Sequence, residues 1–321
     1  MAGQTWIMNY PEGYAYSPNM SKVLRTGLQP TMRFRQFCDM KDNDHQVLNR
    51  GDLFHWDVYL DPEMGGRRLN ENEPMPETTF QKIKGTLQID EYGISVPYTG
   101  KLDNLSEKPV KEIVKSVLMN DARRTLDKAA AEQFDKAPLR AAPTGGSSTT
   151  AITLTENGVC SITNAVAMGT THVKLIVDTM KERNIPAFVD NDYYCIGHPT
   201  TYRPFKDQLE ATKAYTETGY GHIMRGEIGR YESCRFVEQS NVPKSGIGTA
   251  KSSWSGGKSN WAVFFGADTV AEACAIPEEV RGKLPGDYGR DKGVAWYYLG
   301  GFGLVHSNAS QARVVIWDSA A

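Results

Sequence analysis

The segment Asp61–Phe80, DPEMGGRRLNENEPMPETTF, decides how this chain is read. It is polar, carries Pro62, Gly65, Gly66, Pro74 and Pro76, and has no apolar periodicity. Both flanks alternate as strands do. Upstream, GDLFHWDVYLD sets Phe54, Trp56, Val58 and Leu60 on one face and His55, Asp57, Tyr59 and Asp61 on the other. Downstream, QKIKGTLQI sets Ile83, Gly85, Leu87 and Ile89 against Lys82, Lys84, Thr86 and Gln88. A structureless loop this long is uncommon inside a compact domain unless it acts outside that domain. The two strands can pair antiparallel over 52–90 and carry the tip about 30 Å from the body, at about 3.3 Å per residue. Such an arm is marginal alone and gains stability by lying across another copy of the chain. Arg67 and Arg68 sit at the tip. Two readings of them stand: guanidinium forks for carboxylates on a neighbour, or plain solubilising charge.

The strongest helical pattern follows. LSEKPVKEIVKSVLMNDARRTLDKAAAEQFDKAP spaces Val110, Ile113, Val114, Val117, Leu118, Ala122, Leu126, Ala129, Ala130 and Phe134 by threes and fours. Ser106 is the expected N-cap, Pro109 falls in the first turn, and Pro138 ends the run. About thirty residues at 1.5 Å each make a spine of roughly 45 Å. Residues 1–50 lack periodicity but carry Trp6, Tyr10, Tyr14 and Tyr16 among prolines. Disordered tails are poorer in aromatics, so this reads as an extended arm lying on its own body or on a neighbour.

TGGSSTTAITLTENG marks a boundary near 140–150. Beyond it THVKLIVDTMKERN reads as a helix and AFVDNDYYCIGH as a buried strand. TYRPFKDQLEATKAY reads as a helix broken at its start by Pro204, and RYESCRFVEQSNVP as one strand. SGIGTAKSSWSGGKSN is a loop or hairpin tip and NWAVFFGADTVAEACAI is β-like. In the closing stretch, Ser307-Asn308-Ala309-Ser310 is expected to turn one strand back on another.

Composition narrows the function. The net charge of −2 gives nothing global to attract a polyanion, which argues against sequence-independent nucleic-acid binding. Cys38, Cys160, Cys195, Cys234 and Cys274 are scattered without metal spacing and fit a reducing compartment. The N-terminus has no signal-peptide pattern, and apolar runs such as WAVFF are too short to span a bilayer. SGGKSN at 255–260 lacks the first glycine of a phosphate loop, which would fall at Ser252. TGYGHIM lacks the third glycine of GxGxxG, Met224 standing there. The six histidines show no ligand spacing. Cys160 after Gly158, and Cys195 beside His198, are the conceivable nucleophiles, and each sits in a β or apolar context that suits a small buried hydrophobe. Glu63, Glu71, Glu73 and Glu77 read as a solvated face.

The order and spacing of these segments resemble the major capsid proteins of tailed bacteriophages with the HK97-like fold, closest to the phage N4-like group. The residues that carry the resemblance are GDLFHWDVYLD with the loop after it, QKIKGTLQIDEYGISVPYT and the helix at 106–136. FVDNDYYCIGHPTTYRPFKD, GEIGRYESCRFVEQSNVP and the closing strand pair complete it. The resemblance implies an α+β fold with an N-terminal arm at 1–51 and an extended hairpin, the E-loop, at 52–84. A P-domain with the spine helix would occupy 85–140, an A-domain 141–293, and strands returning to the P/A-domain 294–321. It implies inter-subunit contacts from Arg67, Arg68, Glu71, Glu73 and Glu77, and arm packing through Trp6, Tyr10, Tyr14 and Tyr16.

The function it implies is self-assembly into hexamers and pentamers of an icosahedral head that encloses double-stranded DNA, with no catalysis, cofactor or metal. The subunits would assemble in the host cytoplasm and reside in the virion, away from any membrane. A scaffolding protein, a portal and a decoration protein are the further partners implied. Two alternatives remain at this point: an encapsulin-like shell, and a cytosolic thiol or hydrolase-type enzyme.

Overall fold

Among the described residues the chain forms three sheets and four α-helices. The computed structural model describes residues 28–39, 51–60, 66–69, 71, 74–106, 108–159, 166–213, 229–247 and 260–318. In chain order the elements begin with β1 (Leu53–Tyr59), β2 (Lys82–Gln88), β3 (Asp90–Thr99), α1 (Gly100–Leu105) and α2 (Val110–Asp135). Next come β4 (Leu139–Pro143), β5 (Ile152–Thr155), α3 (Thr170–Glu182), β6 (Tyr193–Gly197) and α4 (Pro199–Lys213). The chain ends with β7 (Arg230–Tyr231), β8 (Cys234–Glu238), β9 (Ala262–Phe265), β10 (Val270–Gly282), β11 (Asp291–Leu304) and β12 (Val314–Trp317).

The seven-stranded sheet, ordered β5-β4-β12-β9-β6-β8-β7, is mixed and covered on both faces. Strand alternation explains how four-residue strands can serve two cores. Val263, Phe265, Val314 and Ile316 face the core that α2 builds, while Ala262, Phe264, Val315 and Trp317 face α3 and α4. Strands β10, β11 and β3 form a separate antiparallel sheet, which α2 crosses. The 26 residues of α2 make a rod of about 39 Å. Its inward stripe runs Val110, Val114, Leu118, Ala122, Leu126, Ala130, Phe134. Val117, expected on that stripe, is 57% exposed, because four-residue steps carry the stripe past it.

One polar residue interrupts the stripe. Asp127 is buried, and its Oδ1 accepts the backbone N–H groups of Phe34 (2.8 Å) and Arg35 (3.2 Å), while Oδ2 accepts from Asn241 Nδ2 (2.9 Å). Burial raises its pKa, and the Asn241 and backbone hydrogen bonds act against that shift. The bonds pin a short 3-10 turn, Arg35–Phe37, on the helix. Phe34 then lies fully buried between Phe134 and Trp261, with ring centroids 5.8 and 5.6 Å away. Arg35 reaches the buried Glu272 with Nη2 at 2.7 Å and also pairs with Glu278, while the Tyr298 hydroxyl donates to Glu272 Oε1 at 2.9 Å. Phe34 thus belongs to the core of this chain, with Phe37 and Cys38 packed against it.

Several local expectations change. Ser106 does not cap the long helix: α1 intervenes, Ser106 sits at its C-terminus, and α2 starts after Pro109. A proline drives the residue before it out of helical geometry, so the helix could not begin earlier. Pro204 does not break α4, which opens with Pro199 at a favourable first position and continues through it at the loss of one backbone bond. RYESCRFVEQSNVP is a hairpin, because Glu232 (φ 48°) and Ser233 (φ 59°) form a tight left-handed turn between β7 and β8. The closing strands do not pair with each other. Strand β11 lies between β10 and β3, and β12 between β4 and β9, so 307–310 passes the chain from one sheet to the other.

His172 supplies a pH-dependent element. Its Nδ1 accepts the Gly169 N–H (3.1 Å), so Nε2 carries the proton and donates to Ser148 O (3.0 Å); the ring packs on Trp317 at 4.8 Å. Burial lowers its pKa, against the raising effect of the Ser148 carbonyl. A base with a lowered folded pKa contributes stability that is full above its unfolded value of about 6.5 and is lost as pH falls from there through the lower folded value. The melting temperature should therefore fall between pH 7.5 and pH 5. His172→Gln should be less stable at pH 7.5 and show a flatter acid limb; an unchanged limb would assign the titration elsewhere.

Candidate functional site

The β1–β2 hairpin pairs Leu53 with Gln88 through Tyr59 with Lys82, and its burial alternates as its sequence does. Phe54, Trp56, Val58, Ile83, Gly85 and Leu87 face inward. Trp56 lies directly over its cross-strand partner Gly85, where a Cβ would collide with the indole. The indole Nε1 donates to the Val305 carbonyl at 3.3 Å.

What receives the hairpin is GGFG, residues 300–303 of β11. A Cβ on Gly303 would stand 3.0 Å from Leu87 Cβ and 3.1 Å from Trp56 Cη2, and one on Gly301 would strike the Gln88 carbonyl. Glycine lets the base of the hairpin settle on the sheet, and Leu87 becomes almost fully buried. Burying a leucine contributes about 1.5–3 kcal/mol. The ion pair Lys82–Asp57 (2.6 Å) is solvent-exposed and screened, so it contributes little beside that. The hairpin is held at its base.

Past Tyr59 the described residues are more exposed. The Leu60 N–H still donates to Gln81 O (2.9 Å), and Tyr59 packs on Phe80 at 6.0 Å. Described residues 66–69, 71 and 74–80 are all exposed, including Arg67, Arg68, Glu71 and Glu77. Glu73 lies outside the described residues, as do Trp6, Tyr10, Tyr14 and Tyr16. Exposed beside the charges are Tyr59 (62%), Leu69 (44%), Met75 (71%) and Phe80 (64%).

Chemistry of other kinds finds weak support. Burial pushes the Cys38, Cys195, Cys234 and Cys274 thiols up, the reverse of what a nucleophile needs. Cys195 Sγ lies 3.2 Å from the Tyr202 hydroxyl. His198 Nδ1 lies 2.8 Å from Thr200 Oγ1. Cys160, Met224 and residues 255–259 lie outside the described residues. No group of three or more His, Cys, Asp or Glu that could hold a metal occurs among the described residues, and no helix among them is long and apolar enough to cross a membrane.

The glycine seat is what the sequence reading missed. Closely spaced glycines inside an otherwise apolar strand signal close backbone approach, and GGFG carries that signal. Only the fold shows that Leu87 and Trp56 are what approaches.

Comparison of the sequence with protein-family models finds no match, and comparison with curated proteins finds none. Solved structures do match. "Cyanophage Pam1 capsid asymmetric unit" superimposes with a TM-score of 0.70 at 14% identity, covering 95% of this chain and 96% of that one. The capsid of Ralstonia phage GP4 gives 0.66 at 14% identity, covering 100% and 98%. The capsid structure of cyanophage P-SCSP1u gives 0.66 at 11% identity, covering 95% and 93%. The fold of this chain is the α+β, HK97-like fold that these capsid structures share.

Gly301→Ala should force the hairpin off its seat. Stability should fall by roughly 1–3 kcal/mol, as for an overpacked core, and limited proteolysis should cut the paired strands 53–59 and 82–88 faster than in the parent chain. Unchanged melting and an unchanged cutting rate within those strands would show that the glycines do not hold the hairpin.

Proposed function

We propose that this chain is the major coat subunit of a tailed-phage head, self-assembling as hexamers and pentamers into an icosahedral shell around double-stranded DNA. One observation carries the reading: a hairpin fixed at its base whose described end residues are exposed, presenting apolar and charged side chains, in a fold shared end to end with capsid subunits. An arm of this kind gains a core only by lying on a neighbour. The near-neutral charge fits a container past which DNA must move during packaging.

Within this reading residues 1–51 are the arm and 52–84 the E-loop, with β2 continuing to Gln88. The P-domain is α2 with the three-stranded sheet, and the A-domain is built on the seven-stranded sheet. Strand β10 lies within 141–293 by sequence, but its pairing with β11 groups it with the P-domain sheet. Arg67, Arg68, Glu71, Glu73 and Glu77 form the E-loop contact. A scaffolding protein, a portal and a decoration protein are the partners such a subunit would meet, and the virion is where it would reside. Electron microscopy of the expressed protein should show shells or capsomers; a stable monomer under every condition would overturn the reading.

Deleting 63–77 and closing the strands with Asn-Gly should leave the melting temperature of the unassembled subunit nearly unchanged and abolish sedimenting assemblies. A sharp loss of melting temperature, with shells still forming, would make the loop part of the core. Charge reversal at Arg67 and Arg68 to Glu should lower the assembled fraction several-fold. The deficit should shrink as salt rises, because screening sets in over about 8–10 Å at 0.1–0.15 M. A salt-independent result would leave the two arginines a solubilising role alone.

A further inference from the structure

A cleft of about 860 Å³ opens between the segment leading into the 3-10 turn and strands β6 and β8. Its walls are aromatic: Phe37, Phe188, Tyr194 and Phe236 line it, with Arg33 and Glu238 adding charges of opposite sign. Three of the rings form one surface, Phe37 lying 5.0 Å from Tyr194 and 5.6 Å from Phe188, and Phe188 lying 5.2 Å from Tyr194. Its volume lies within the range of about 300–1,000 Å³ typical of binding pockets.

The chain itself leads into this cleft. The Thr31 N–H donates to Ser240 Oγ (2.8 Å) and Thr31 O accepts the Ser240 N–H (3.1 Å), which fixes the entering segment at the rim. Leu28, just upstream, is fully exposed, and Pro30 biases Gln29 to an extended conformation. The residues before it include YPEGYAYSP, Tyr10 to Pro18, in which tyrosines and prolines alternate with small residues.

We propose that Tyr10–Pro18 of the same chain docks in this cleft with its tyrosine rings against the aromatic wall. Proline- and aromatic-rich extended segments bind aromatic-lined grooves because their low conformational freedom reduces the ordering cost. Each tyrosine brings roughly 150–250 Å² of surface and a hydroxyl that can stay at the polar rim. Glu12 supplies the carboxylate that suits Arg33. Reach is sufficient: roughly a dozen residues separate Pro18 from Thr31, and at about 3.5 Å each they span about 40 Å. A short tether gives an effective concentration of the order of millimolar, which favours the chain's own segment over that of a second copy at micromolar concentration. This seat does not depend on assembly.

The test uses the unassembled full-length chain. Tyr14→p-benzoylphenylalanine, and separately Tyr16→p-benzoylphenylalanine, are irradiated in an equal mixture of isotope-labelled and unlabelled copies, and the cross-links are mapped by mass spectrometry. Cross-links within one copy to residues 31–37, 188–199 or 229–240 are expected from both probes. Cross-links to other surfaces, or cross-links between copies, would overturn the proposal. A third probe at Tyr220 tests a rival occupant: cleft cross-links from position 220 and none from 14 or 16 would overturn it as well.

Discussion

A carboxylate inside the long helix organises this molecule. Burying an unpaired carboxylate costs several kcal/mol, so Asp127 can occupy the inner face of α2 only if donors are brought to it. The donors are the amides of Phe34 and Arg35 and the side chain of Asn241, and neither segment is close in sequence to Asp127. Satisfying one acid therefore ties the amino-terminal segment and the turn after β8 to the spine. Phe34 is then carried between Phe134 and Trp261, and Arg35 toward Glu272, so the helix, the segment and the three-stranded sheet share one core.

That core makes the body rigid where rigidity matters. The three-stranded sheet is held by α2 on one side, and its strand β11 offers GGFG as the seat of the hairpin. A leucine and a tryptophan set on glycines fix the base, while the far end keeps its apolar side chains in solvent. Stability and exposure are thus divided along a single hairpin. An arm made stable along its whole length would have nothing left to gain from a neighbour.

The thiols and histidines take part in the same economy of burial. Cys195 beside Tyr202, and His172 against Trp317, fill the second core behind the seven-stranded sheet, where desolvation disfavours their charged forms. Cys195 and His172 are here packing residues.

Periodicity alone determined the elements whose burial is one-sided. The alternation around Trp56 and Leu87 marked both strands of the hairpin, and the spacing from Val110 to Phe134 marked the spine. The polarity of 61–80 marked the loop between the strands as a feature directed outward. These patterns are local, and the solvent reads them residue by residue. What only tertiary structure decided depends on which distant groups meet. Asp127 looked like one more polar position on a helix until Phe34 and Asn241 came to it. GGFG looked like a weak strand until Leu87 came to rest on it. The two closing strands looked like partners, because a turn joins them, but β3 and β10 occupy both edges of β11, and β4 and β9 both edges of β12. Pairing across a sheet is settled by the sum of side-chain burial over whole faces, a quantity that no short window of sequence contains.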